Sequence, residues 1–162
     1  MNMRKDLLLS VTHEVRDRCL CLHMQRAARA IARHFDEALR PYGLTNGQFS
    51  LLMALNRPHP PKIGDLVPVL AMDRTTLTAN LKPLARRSLV EVAVDPKDRR
   101  GRRLKITDAG RNVLVAALPV WREAHNDIDV MLPDLDPDRL RADLRALSHD
   151  LPTHGGNALI PE

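Results

Sequence analysis

The apolar positions of this 162-residue chain follow a helical period over most of its length. From about Thr12 to Leu39, Met24, Ala27, Ala28, Ile31, Phe35 and Leu39 recur at three- and four-residue spacing, with Arg26, Arg29, Arg33 and Asp36 between them. That pattern predicts one long helix ended by Pro41 and Gly43. Thr45 and Gln48 have the spacing of a capping box and predict a second helix to about Leu55. Pro58, Pro60 and Pro61 form a stiff connection. A helix is expected over Lys62–Leu70, a turn at Ala71-Met72, and a helix from Arg74 to about Arg87 with Asp73 as its N-cap. The period then changes. Leu89–Val94 partly alternates and carries three valines, which predicts a strand, and Leu104–Ile106 predicts a short return strand. The intervening Asp95–Arg103 reads as a basic turn. Thr107-Asp108 caps a helix from Ala109 to about Leu132, kinked at Pro119. Asp136-Pro137 starts a last helix whose stripe is Leu140, Leu144, Leu147 and Leu151.

The expected fold class is therefore mostly α with a small β-hairpin. Composition agrees: hydrophobic residues make up 44% and aromatics only 2%, so the core must be built largely from Leu, Ala, Val and Ile. The N-terminus lacks a secretory pattern, and no apolar run approaches the roughly 18–20 residues of a membrane span. With two cysteines, Cys19 and Cys21, the chain reads as cytoplasmic with reduced thiols. On a continuous helix an i, i+2 pair points in different directions, which disfavours a bond between them.

Charge sharpens the picture through its location. The net charge is +5, but Arg74–Lys105 holds ten Lys/Arg against Glu91, Asp95 and Asp98, or +7, while the rest of the chain is −2. The positive excess thus sits on one helix and one hairpin. Helix, tight turn, helix, strand, basic loop, strand is the order of a winged helix-turn-helix. A helix fits the DNA major groove, where base edges carry a unique donor and acceptor code. With Leu77, Leu81 and Leu84 turned to the core, Arg74, Thr75, Thr76, Thr78, Asn80 and Lys82 are left for DNA. Arg99, Arg100 and Arg102 of the hairpin would reach the backbone or a narrow minor groove. Either feature alone reads as readily as a solvated surface; the two in this order do not.

Asp73-Arg-Thr-Thr-Leu-Thr-x-Asn-Leu81, Leu89-Val90 and Asp95-Pro-x-Asp-Arg-Arg-Gly-Arg-Arg-Leu-Lys-Ile-Thr-x-Ala-Gly110 together resemble the MarR family of transcriptional regulators. Arg40-Pro-Tyr-Gly-Leu-Thr-x-x-Gln-Phe49 also fits, and the likeness spans roughly residues 15–150. It implies a homodimer joined through N- and C-terminal helices, with Arg100 in the minor groove and Asp98 orienting the wing arginines. On that basis residues 1–44 form an N-terminal dimerisation helix, 45–108 the DNA-binding lobe, 109–151 C-terminal dimerisation helices, and 152–162 a tail. Three departures stand out. Ala71 occupies a turn position where the family often has Gly, and Pro68 and Pro83 fall inside the two helices of the motif.

The resemblance also implies a signal. Cys21 aligns with the reactive cysteine of the family's organic-hydroperoxide repressors, and Cys19 stands beside it, while Gln25, Phe35 and Asn46 replace the tyrosines that hydrogen-bond that thiol. The alternative is that both cysteines are small packing residues. An organic effector is the other candidate signal, with Arg16, His23, Arg26 and Trp121 as candidate pocket residues. Cys19 and His23 share a helical face, but no ligand spacing supports a metal site, and no cofactor is expected. No nucleophile–base set, phosphate loop or zinc signature points to an enzyme. The leading expectation is a sequence-specific regulator, a repressor, on pseudo-palindromic double-stranded DNA. The alternatives are a sequence-tolerant architectural DNA binder and a protein-interaction module that has lost DNA binding.

Overall fold

The computed structural model describes residues 8–96, 98–134 and 136–149; the side chains of Arg99, Arg100 and His149 lie outside what it describes. Seven helices and one hairpin follow in order: α1 (Leu9–Arg18), α2 (Leu20–Leu39), a 3-10 turn (Arg40–Tyr42), α3 (Asn46–Leu55), α4 (Ile63–Leu70), α5 (Arg74–Arg86), β1 (Val90–Asp95), β2 (Asp98–Ile106), α6 (Asp108–Val130) and α7 (Pro137–His149). Internal contacts divide the chain into two compact units, Met1–Ala124 and His125–Glu162.

The local signals act where expected. The Thr45 hydroxyl accepts from Gln48 N at 3.3 Å, and the Gln48 side chain accepts from Thr45 N at 3.2 Å, completing the capping box. Gly43 ends the preceding turn at φ 65°, a left-handed backbone that glycine adopts without a Cβ clash. The Thr107 hydroxyl accepts from Gly110 N at 3.0 Å at the start of α6. Asp136 accepts from the amides of Asp138 and Arg139 at the start of α7. Pro119 lies within α6, which continues through it.

Two expectations are corrected. The single N-terminal helix is broken at Cys19, whose backbone is extended (φ −71°, ψ 98°). Its N–H closes α1 on the Val15 carbonyl, its carbonyl opens α2 by accepting from His23 N, and its Sγ accepts from Leu22 N at 3.4 Å. No residue of α1 is buried. Because of the break, Cys19 and Cys21 do not share one continuous helix, and both thiols are free. The second correction concerns the return strand, which begins at Asp98 rather than Leu104. Arg102–Lys105 pair with Glu91–Val94 in antiparallel register, followed by a register shift that brings Asp95 opposite Asp98. The outer face of this ribbon stays open to water, so a run of charges does not oppose pairing.

The core of the first unit is aliphatic, as composition demands. Leu39, Leu51, Leu52, Leu55, Leu66, Leu77, Leu84, Leu104 and Ile106 are fully buried. Each leucine contributes about 1.5–3 kcal/mol by leaving water. Trp121 of α6 adds the aromatic part, stacked on Phe49 with centroids 5.8 Å apart and tilted against Phe35 at 6.4 Å. Gly110 lets α6 approach β1: a Cβ there would lie 2.3 Å from the Leu89 carbonyl oxygen.

Candidate nucleic-acid interface

The turn between α4 and α5 carries Ala71 at φ 49°, ψ 37°. A left-handed alanine is strained, and the turn holds it because Leu66 and Leu77 on either side are buried. Asp73 then fixes the start of α5. Its Oδ1 accepts from Thr76 N at 2.8 Å and its Oδ2 from the Thr76 hydroxyl at 2.9 Å. These bonds hold the Asp73 carboxyl below the usual carboxylate range. Leu77, Leu81 and Leu84 face inward, as the spacing requires, and Pro83 sits in the helix without ending it.

The candidate DNA-facing residues divide into two groups. Arg74, Thr75, Thr78 and Lys82 line one open concavity with Ala79. Thr76 and Asn80 are turned to internal partners: Thr76 donates to Asp73, and the Asn80 amide donates to the Thr76 carbonyl at 3.0 Å. Asn80 also lies against α3, where Gly47 makes room for it; a Cβ on Gly47 would stand 2.9 Å from Asn80 Oδ1. The Thr78 hydroxyl bonds back to the Arg74 carbonyl at 2.7 Å.

The hairpin is tied down at its outer end. Asp95 is 0% exposed despite lying at the turn. Its Oδ1 is 3.1 Å from Arg103 Nε and its Oδ2 3.0 Å from Lys62 Nζ. Lys62 Nζ also stands 3.6 Å from Asp98 Oδ2. The Asp95 carboxylate raises the Lys62 ammonium above its ordinary pKa. Further bonds run beside these ion pairs: Leu104 N donates to the Pro61 carbonyl at 2.9 Å, and the Arg103 side chain donates through Nη1 to the Pro60 carbonyl at 2.9 Å. Residues 98–101 arch over Asp95, and a Cβ on Gly101 would lie 3.2 Å from Asp95 Cβ. Asp98 is exposed, and exposed Arg102 donates to the Gly101 carbonyl. The side chains of Arg99 and Arg100 lie outside the described residues.

Lys62, Asp95 and Arg103 were not singled out from sequence. Asp95 reads there as an Asp-Pro turn residue, and Lys62 lies 33 positions upstream with no spacing signal to link them. Tertiary contacts, the Lys62↔Arg103 bridge with the bonds to Pro60 and Pro61, bring them together.

The candidate sensor residues lie elsewhere in the same unit. Cys21 is exposed, its Sγ accepting from Gln25 Nε2 at 3.3 Å; Cys19 is half-buried at the helix break. Arg16 is paired with Asp17 at 2.6 Å and Arg18 with Glu14 at 2.9 Å, so the cations nearest in sequence already have carboxylate partners. His23 Nε2 donates to the Asp17 carbonyl at 3.2 Å, and Arg26 is exposed on α2. Trp121 is enclosed by Phe35 and Phe49. Among the described residues no group of three or more His, Cys, Asp or Glu is placed to hold a metal ion, and no helix is long and apolar enough to cross a membrane.

A two-helix motif with a tight turn, followed by a hairpin packed back on it, defines a winged helix-turn-helix protein. The model of the MarR family matches residues 44–101, which span α3 to the hairpin arch. The chain is 36% identical to the M. tuberculosis transcriptional regulator MosR in a crystal structure with DNA, with a TM-score of 0.71 over 80% of this chain and 93% of that one. It is 34% identical over 98 residues to the transcriptional repressor NicR of Pseudomonas putida and 31% identical over 113 residues to the transcriptional activatory protein BadR of Rhodopseudomonas palustris. Those stretches are 59% and 67% of this chain, and cover 62% of NicR and 65% of BadR, less than two thirds of either relative. The chain belongs to the MarR family.

Proposed function

We propose that this chain is a homodimeric, sequence-specific DNA-binding transcriptional regulator, acting in the cytoplasm as a repressor that a small molecule or oxidant releases. The observation that carries the reading is the shared open concavity of Arg74, Thr75, Thr78 and Lys82 on a capped helix, with an arginine-bearing wing secured to the same lobe. The DNA complex of MosR, with the same fold, supports it. Residues 45–108 form the DNA-binding lobe in this reading, and residues 1–44 and 109–151 supply the dimer arms. Arg74, Thr75, Thr78 and Lys82 meet the major groove, with Thr76 and Asn80 beside them, while Asp98 orients Arg99, Arg100 and Arg102 toward the backbone and minor groove. Exposed Cys21 at the soft joint beside Cys19 is where an oxidant would act; Arg16, His23, Arg26 and Trp121 remain the residues to test for an organic effector.

The testing experiment is selection of bound fragments from a random duplex library by the purified protein. Enrichment of an inverted repeat with half-sites about one helical turn apart supports the reading. A second reading, a sequence-tolerant architectural DNA binder, draws on the internal hydrogen bonds of Thr76, Thr78 and Asn80, which leave fewer groups for base edges. Binding without enrichment favours it, and no binding to any duplex rejects both.

A further inference from the structure

A free two-stranded ribbon is marginal in water and does not hold a fixed attitude. This one is held at its far end by a cluster of two carboxylates and two cations. Asp95 lies beneath the arch of residues 98–101 and pairs with Arg103 on the neighbouring strand. Lys62 comes from outside the hairpin. Its backbone begins α4, where its N–H donates to Asp65 Oδ2 at 2.8 Å, and its ammonium reaches Asp95 and Asp98. The same residue therefore starts the first helix of the DNA-binding motif and grips both ends of the wing turn.

A buried ion pair is weak evidence of stabilisation, because desolvation offsets the attraction; its better-attested effect is to choose one geometry among several. Arg103 also places a cation on Asp95, but it belongs to the hairpin itself and reaches the rest of the lobe through a neutral bond from Nη1 to the Pro60 carbonyl. Lys62 is the ion-pair partner that refers the arch to the helices. We propose that Lys62 is a positioning residue for DNA binding: by bridging Asp95 and Asp98 it sets the 98–101 arch against the helix-turn-helix, and it raises affinity without itself meeting a phosphate. The proposal rests on the DNA-binding reading above.

The test is a double-mutant cycle read in DNA affinity on a duplex that the unaltered protein binds, with hydrogen exchange of the wing amides measured in parallel. Lys62→Met keeps the stem and removes the charge. It is expected to weaken binding about tenfold, the size of coupling that adjacent groups show. Lys62→Arg is expected to recover most of that loss. In an Arg100→Ala background, Lys62→Met should add less than about twofold, because a wing stripped of its contact gains nothing from being well placed. The Leu104 amide, bonded to Pro61, should exchange faster in Lys62→Met. Unchanged affinity in Lys62→Met overturns the proposal. So do losses that multiply fully in the double variant with wing exchange unaltered, since Lys62 would then contact DNA directly. Should Lys62→Met fail to fold, Asp98→Asn weakens the Lys62–Asp98 contact and leaves Asp95 with both cations; full retention of affinity there also overturns it. Failure of the unaltered protein to bind any duplex refutes the DNA-binding reading, a result distinct from equal binding by the protein and its Lys62→Met variant.

Discussion

The winged lobe and the N-terminal arm are built from similar leucine-rich sequence, yet they bury it differently. Within the lobe, Leu51, Leu52, Leu55, Leu66, Leu77 and Leu84 are sealed against one another and against the inner face of the hairpin. Along the arm, α1 has no buried residue and α2 buries only Phe35 and Leu39, both in its second half. Leu9 is 68% exposed, Val15 57% and Ile31 41%. The lobe completes its core within one chain. The arm carries apolar side chains that one chain leaves exposed, and the homodimer proposed above would cover them.

The two regions should therefore break in different ways. Gly110→Ala strikes the lobe, because the new Cβ would overlap the Leu89 backbone. A loss of about 3 kcal/mol is expected from such overpacking, read by denaturant unfolding; a loss under about 0.5 kcal/mol would mean that α6 can shift freely. Ile31→Glu strikes the arm. It is expected to remove about 2 kcal/mol of apolar burial per protomer from the dimer and give monomers in sedimentation, while the lobe stays folded. A dimer of unchanged affinity would place the interface off this face. Thr45→Ala removes one half of a capping box and should cost about 1 kcal/mol in thermal unfolding without altering the oligomer. Ala71→Gly should act in the opposite direction. Relief of the left-handed strain, less glycine's extra entropy in the unfolded chain, predicts a gain of about 0.5–1 kcal/mol. A loss there would show that the Ala71 methyl makes packing contacts worth more than the strain.

Much of this architecture is legible along the chain because its signals are local. Thr45 with Gln48, Asp73 before Arg74, and Asp136 before Pro137 announce helix starts through bonds that span two or three residues. Leu77, Leu81 and Leu84 show their inward face by spacing alone. What stays hidden depends on partners far away in sequence. The Cys19 break carries no sequence signal, for neither Pro nor Gly stands near it, and it joins a wholly exposed α1 to α2. Asn80 reads as a solvent-facing polar residue until Gly47 is seen to admit it against α3. The stacking of Trp121 on Phe49, with Phe35 nearby, joins residues far apart in the chain. Asp95 is the sharpest case: a turn-forming Asp-Pro pair conceals a carboxylate that Lys62 and Arg103 bury.

That cluster also changes what the basic charge of the lobe is worth in solution. Each phosphate met by a cation releases bound counterions and adds about 0.9 to the steepness with which affinity falls as salt rises. Lys62 and Arg103 already neutralise carboxylates of their own chain. In the DNA-binding reading proposed above, cations held in this way displace no ions from the duplex, so a salt titration is expected to count fewer contacts than the basic residues of the sequence suggest.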